Sequence, residues 1–556
     1  MIGVIAKPSE RRVVAEFFEL FKTPWEWFRN DSRYEVVLCT SNDDFEVPGA
    51  ELVVIYAGRE LCTDKDNLFE AYSTQSPAVL IHRQDRLPIY GDLVTFREAE
   101  SAFLREEGSG RPAMCRWLSD SPDIVRIGYD LFQEIELLLT HGQPPEFAQI
   151  PTVELHIALL RETILSAGFE LIEVPPIPYG YQFVACLTHD VDHPAIANHR
   201  WDYTIAGFLY RAAIGSMINL FRGRIGLREL IMNLGAAVRL PFVYLGLAAD
   251  FWQGFEDRYL ALEQGLASTY FFIPFEGRAG NCARGAAPKR RAARYCAIDL
   301  AGTIRRIMAN GCEVGLHGID AWLDPAAARK ELEEIRRITG SSEVGVRMHW
   351  LYYGQQSAAI LEQTEAAYDS TVGYRETVGY RAGTTQVHKP LEADRLLELP
   401  LHAMDTALFY PAYLGLSQKQ ATTVLMKLID SLVRFGGCLT INWHDRSLAP
   451  ERLWGACYCR VISDLRDRNA WFATASQAAA WFRKRRSVVF ESDDDTGNGG
   501  RVRILSDNGD NLPSLRLRVH PQRSISLTEA SRLPEFKDRK LEREGEVQCA
   551  LAGNLT

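Results

Sequence analysis

From Phe183 to Arg485 the chain repeats one pattern, a short apolar β-rich run followed by a helical stretch. Such alternation lays the strands parallel, because each return crossover is a helix, and this many units predict a closed (β/α) barrel. The runs read at Phe183–Leu187, Thr269–Pro274, Cys312–Leu316, Val344–Val346, Leu396–Leu401, Cys438–Asn442 and Phe472–Ala475. Helical patterns fall between and after them at Ile304–Asn310, Pro325–Ile338, Ser357–Ala366, Gln420–Phe435 and Gln477–Arg485. Asp190, Asp192, His317, His349, His402 and His444 each stand just past one of the runs. The carboxyl ends of parallel barrel strands open at one mouth, so these side chains are expected to share a site.

The first run is the most informative. Cys186-Leu187-Thr188-His189-Asp190-Val191-Asp192-His193-Pro194 passes from buried-strand residues to two carboxylates and two imidazoles. Asp190 and Asp192 have the same parity and in extended backbone point to one side. Two carboxylates beside histidines suit a hard or borderline divalent cation. Alone, Asp-x-Asp is ordinary turn and capping chemistry. The other strand ends supply its weight.

The remaining chain sorts by pattern. Residues 1–168 read as an N-terminal α/β domain, with strands at Ile2–Ile5, Tyr34–Cys39, Glu51–Tyr56 and Ala78–Ile81 and helical patterns at Arg11–Phe21 and Asp123–Leu139. It gathers no catalytic residue types, and no glycine-rich phosphate loop follows a strand. The barrel is expected over 169–486, entered through the stiff connector Pro175-Pro176-Ile177-Pro178. Within it, 203–250 is an unusually apolar helical insert, but Asn233, Arg239 and Pro241 argue against a simple membrane span. It reads as buried or lid helices, or as a surface that approaches membrane lipid. After it comes a small β-rich appendage at 487–533, opened by the acidic stretch Glu491–Gly500, which lacks a calcium loop's spacing and final glutamate. A disordered tail is expected over 534–556.

A net charge of −10 argues against general nucleic-acid binding. Met1–Pro8 has neither a basic segment nor a long apolar one, so no cleaved secretory leader is expected. The 11 scattered cysteines cannot all pair within the chain, which points to a reduced, cytoplasmic setting.

Residues Phe183–Arg485 resemble the NodB-type polysaccharide deacetylases (carbohydrate esterase family four), in a divergent branch with an N-terminal domain of unknown function. Thr188–Asp192 resembles the first motif of that family, in which one Asp is the catalytic base and the next binds metal. Gly315-Leu316-His317-Gly318 resembles the second, which in the family supplies a His-x-x-x-His pair; here the position four after His317 is Ala321. Leu439–Asp445 resembles the last motif, whose histidine is the general acid. The resemblance implies a distorted (β/α) barrel of the polysaccharide deacetylase type acting on an acetylated sugar or glycan. The charge gives no nucleic-acid partner, and the apolar insert 203–250 is a candidate membrane surface that would suit a lipid-linked substrate.

The implied roles follow residue by residue. Asp190 is the base, His444 the acid, and Arg347, like the family's third-motif arginine, orients the base. Asp192 and His317 bind metal, and His349 is the first choice for the third ligand. The metal expected is Zn2+, with Co2+, Ni2+ or Fe2+ as alternatives. Arg381, His402 and Trp443 are candidates for the sugar, as are Trp350 and Tyr352, although aromatics so near strands are more often core. Asp445 could orient His444 or cap a helix. His189 and His193 could touch metal or substrate, or serve as surface partners of the acidic residues. The reaction expected is hydrolytic removal of an N-acetyl or O-acetyl group. Two rivals stay open: a metal-dependent glycosyltransferase using Asp190-Val191-Asp192, and a non-catalytic glycan-binding relative of the deacetylases.

Overall fold

The computed structural model describes residues 1–40, 50–62, 64, 70–97, 103–117, 122–492, 500–505, 511–521 and 536–541. It divides into two compact units: 1–180 with 382–384 and 481–556, and 181–381 with 385–480.

In the first unit, a six-stranded sheet runs in the order Met114–Trp117, Asp123–Ile127, Ala50–Tyr56, Tyr34–Thr40, Ile2–Ile5, Trp25–Trp27. All neighbours are parallel except the first pair. Asp123–Ile127, expected as the start of a helix, is instead a strand, and the helix occupies Leu131–Thr140. Asp130 divides the two: its side chain accepts from the amides of Phe132 and Gln133 and so caps the new helix.

The C-terminal stretch differs from expectation in two ways. It is no separate appendage, because Leu515–His520 pairs with both Leu171–Glu173 and Lys537–Leu541 within the first unit. Nor is it all tail, since Lys537–Leu541 is a strand. Val488–Ser492 and Gly500–Ile504 form a separate hairpin. The acidic residues 493–499 and most of the predicted tail lie outside the described residues.

The second unit is built on a curled parallel sheet that forms a (β/α) barrel. Its strands are β1 (Val184–Val191), β2 (Ser268–Phe272), β3 (Glu313–Gly318), β4 (Val346–Met348), β5 (Ala403–Met404), β6 (Cys438–Asn442) and β7 (Trp471–Phe472). The order is β4-β3-β2-β1-β6-β5, with β7 beside the start of β1. The edge strands β4 and β5 do not pair directly. Instead Val346 bridges Asp369, Asp369 bridges Glu398, and the chain from Glu398 runs on into β5. The run expected at Leu396–Leu401 is therefore irregular, and backbone bonds such as Asp369 N to Leu397 O (2.9 Å) and Leu399 N to Asp369 O (2.8 Å) close the ring.

Every residue of β1 is buried, as its unbroken apolar run requires of a strand covered on both faces. Gly345, just before β4, lies against the ring of Tyr368: a Cβ there would sit 1.9 Å from Cζ. Tyr368 cannot swing aside freely, because its hydroxyl donates to Glu313 Oε1 at 2.8 Å. Gly345→Ala should therefore destabilise the barrel by about 1–3 kcal/mol, the usual range for overpacking. Urea denaturation would measure it; an unchanged midpoint would mean that the ring moves without cost.

Candidate active site

The strand ends converge as parity requires. Asp192 Oδ1 lies 3.3 Å from His317 Nε2 and 3.3 Å from His349 Nδ1. The two ring nitrogens are 3.1 Å apart. This triangle draws on β1, β3 and the turn after β4, and no other group of three His, Cys, Asp or Glu donors among the described residues is as close.

Hydrogen bonding settles which nitrogens carry protons. His317 Nδ1 lies 3.0 Å from the carbonyl of Arg347, and His349 Nε2 lies 3.1 Å from the carbonyl of Arg291. A carbonyl only accepts, so each of these nitrogens must be the donor. In the neutral rings the lone pairs of His317 Nε2 and His349 Nδ1 then face each other and a carboxylate. Asp192 Oδ1 is buried with no hydrogen-bond partner. Three unprotonated donors about 3.2 Å apart are what a divalent ion with bonds near 2.0–2.1 Å and tetrahedral angles needs, so the residues fit the expected metal.

The charge states agree. Burial is the largest influence on His349 and lowers its pKa, favouring the neutral ligand form. Burial opposes the charge of Asp192, but the neighbouring His349, His317 and His444 outweigh it and hold the carboxyl well below its usual range.

Two further groups flank the triangle. Asp190, expected as the base, is held at both oxygens: Arg347 Nη1 donates to Oδ1 at 3.1 Å and Asn442 Nδ2 donates to Oδ2 at 2.7 Å. Its Oδ2 is 3.9 Å from His317 Nε2. Arg347 is fully buried, and it also donates to Thr188 Oγ1 (2.6 Å), Ser370 O (3.0 Å) and Ser370 Oγ (2.8 Å). On the other side, His444 Nε2 stands 3.8 Å from Asp192 Oδ2.

The partner of His444 is not Asp445 but Asp405, whose Oδ1 is 2.6 Å from Nδ1 and whose Oδ2 accepts the His444 amide at 2.8 Å. Burial works against the imidazolium, yet Asp405, with Asp192 and Asp190 behind it, pushes the His444 pKa up to about 9. Asp445 instead accepts from the amides of His193 (2.7 Å) and Arg446 (2.8 Å).

Other expected residues are placed elsewhere. Trp443 is fully buried beside Phe409 and Tyr458, so it is core and not a sugar platform. His402 is buried too, and its Nδ1 accepts the Thr440 amide at 3.2 Å. His189 points away from the triangle, to the Trp443 carbonyl at 2.8 Å and Glu263 at 2.9 Å, as its parity opposite Asp190 requires. His193 turns to His199, 3.1 Å away. Arg381 is half-buried and stacks over Tyr374. Trp350 is half-buried beside His349, ring centres 5.9 Å apart, with the guanidinium groups of Arg290 and Arg375 5.6 and 5.7 Å from the centre of its ring.

Ala321 stands where the resemblance leads one to expect a second histidine. It is packed in the barrel core, while the amides of Ile319 and Asp320 donate to Glu331 at 2.8 and 2.9 Å and fold the loop away. Sequence reasoning missed Asp405, Asn442 and Arg291. Asn442 ends an apolar run and could have been found; Arg291, which donates to the carbonyls of Ile319 (3.0 Å), His349 (2.7 Å) and Ala279 (2.7 Å), carries no motif.

The Asp405–His444 pair makes stability depend on pH. A histidine whose folded pKa of about 9 exceeds the unfolded value near 6.5 stabilises fully below about pH 6.5, and that contribution is lost as pH rises through about 9. In chelator-treated protein, stability should fall by about 3 kcal/mol across that window. Asp405→Asn should remove most of the slope. Urea midpoints at pH 6 and pH 10 for both proteins test it; parallel slopes would refute the assignment.

No family model matches the chain, and no curated protein matches it. Among solved structures it is similar to a putative polysaccharide deacetylase from Mycobacterium smegmatis, at 19% identity over 56% of this chain and 94% of that one, with a TM-score of 0.33. It is likewise similar to the peptidoglycan deacetylase PdaC from Bacillus subtilis, at 14% identity over 55% and 93% of the two chains, TM-score 0.25. A family-four pseudoenzyme from Bacillus anthracis matches at 10% identity over 53% and 65%, TM-score 0.25. A glycoside hydrolase family 57 branching enzyme from Thermococcus kodakaraensis matches as well, at 11% identity over 53% and 70% of the two chains, TM-score 0.30.

Proposed function

We propose that the chain is a metal-dependent hydrolase that removes an acetyl group from a sugar or glycan. The observation that carries this reading is the triangle of unprotonated donors on Asp192, His317 and His349, flanked by one carboxylate and one imidazolium. A divalent cation held by those three residues would supply Lewis acidity and an acidified water at neutral pH.

Asp190, held in place by Arg347 and Asn442, takes the proton as water attacks the acetyl carbonyl. A base bound at both oxygens loses little orientation entropy in this step. His444 carries the opposite task. Its raised pKa keeps it protonated at neutral pH, and it gives its Nε2 proton to the departing amine or alkoxide as the bond from the acetyl carbon breaks. Asp405 fixes the tautomer and the ring plane. The proton taken by Asp190 and the proton given by His444 balance the hydrolysis, leaving acetate and the free sugar group.

Zinc suits the mixed nitrogen and oxygen donors, with cobalt, nickel and iron as alternatives. The transferase reading leaves His349 and His444 without a task.

Purified protein should hold about one transition-metal ion per chain. His317→Ala and His349→Ala should each lose it, as elemental analysis would show. Asp190→Asn should keep the metal and lower acetate release from acetylated chitooligosaccharides or xylan by roughly 100- to 10,000-fold, the usual worth of a general base. A metal-loaded wild type inert on every acetylated glycan would favour the non-catalytic relative instead. Nucleotide-sugar binding without acetate release would favour the transferase.

A further inference from the structure

The insert after β1 is a helical hairpin that is apolar on both faces. Its helices are Tyr203–Tyr210 continuing through Ser216–Phe221, and Leu227–Tyr244. One face is satisfied: Ile205, Phe208, Ala212, Ala236, Leu240 and Val243 pack with Ile196, Trp252 and Ala449. The other face has no cover among the described residues. Of the 24 large hydrophobic side chains exposed among the described residues, 15 lie between Trp201 and Leu247. Trp201 is 100% exposed, Phe221 86% and Leu227 63%. Soluble surfaces scatter such residues singly; a concentration of this kind marks an interaction face.

Charge identifies the partner. Between Tyr203 and Ala249 there are five arginines and one glutamate, in a chain whose net charge is −10. Arg222, Arg228 and Arg239 are exposed, and the first two flank the tip beside Phe221 and Leu227. A second copy docking face to face would bring like charges together. An anionic lipid surface takes both the apolar side chains and the guanidinium groups.

The first helix is long and apolar enough to cross a bilayer, yet it is tied to the barrel. Arg211 pairs with Glu451, Asn233 Nδ2 donates to Ser216 Oγ at 2.8 Å, and the Glu451 amide donates to Asn233 Oδ1 at 2.6 Å. A helix fixed in this way lies along the lipid surface without spanning it.

We infer that the exposed face of hairpin 203–247 docks the protein on anionic membrane lipid. The hairpin leaves the barrel just after Asp192 and is anchored at the loop following His444, so docking brings the mouth of the barrel to the lipid surface. This inference rests on the hairpin alone and is independent of the hydrolase reading.

Co-sedimentation of the full chain with vesicles tests it. The protein should pellet with phosphatidylglycerol–phosphatidylcholine vesicles at low salt, much less with phosphatidylcholine alone, and be released by salt. Reversing Arg222, Arg224 and Arg228 to Glu should weaken binding to the anionic vesicles by roughly a hundredfold or more. Phe221→Ser with Leu227→Ser should weaken it as well while leaving the thermal melt unchanged, since both side chains are exposed. Wild type that stays in the supernatant overturns the inference. So does a dimer in sedimentation velocity that Phe221→Ser with Leu227→Ser disperses while vesicle binding is unaffected.

Discussion

The buried guanidinium of Arg347 is the tie on which the barrel and its site both depend. The ring closes at its weakest place, between β4 and β5, through single-residue bridges and not a continuous ladder. Arg347 reaches across the interior from β4 to Thr188 and Asp190 on β1 and to Ser370 beside the closing bridge, and its guanidinium also packs over the ring of Phe271. A charge without solvent is tolerated only when paired and fully hydrogen-bonded. Here the requirement works in both directions: the arginine needs the carboxylate, and the carboxylate is fixed by the arginine.

The same logic of commitment orders the rest of the mouth. Each imidazole of the triangle spends one nitrogen on a backbone carbonyl and keeps the other for the centre. His444 spends its Nδ1 on Asp405. Backbone carbonyls and a carboxylate thus produce two kinds of histidine within a few ångströms: burial lowers the pKa of His349 at the triangle, and Asp405 raises that of His444 beside it. Asp190 and Asp192, two residues apart, likewise carry different partners.

Much of this was legible in the chain. An apolar run that stops at Asp or His marks the place where a strand leaves the core, so the strand ends could be read directly, and the shared parity of Asp190 and Asp192 correctly set them on one side. What escaped depends on pairings distant in sequence. Asp405 lies in a helix start with no motif, and only the fold brings it to His444. Trp443 was misjudged because nothing local says which face of the segment after β6 is enclosed. Asp123–Ile127 carries apolar residues compatible with either a helix or a strand, and the cap at Asp130 decides the matter only once the helix begins after it. The pairing of Leu515–His520 with Leu171–Glu173 joins segments from opposite ends of the chain and leaves no local trace.

The substitution of Ala321 has a thermodynamic consequence. A His-x-x-x-His pair takes two ligands from one short segment, which can be preorganised locally. In this chain Asp192, His317 and His349 come from three different strand ends, so the donors meet only when the sheet has curled and closed. The free energy that a cation gained there would therefore belong to the whole barrel. Affinity for such a cation and resistance to unfolding would be one quantity read on two scales, and a change far from the mouth that loosened the ring would also loosen the grip on the ion.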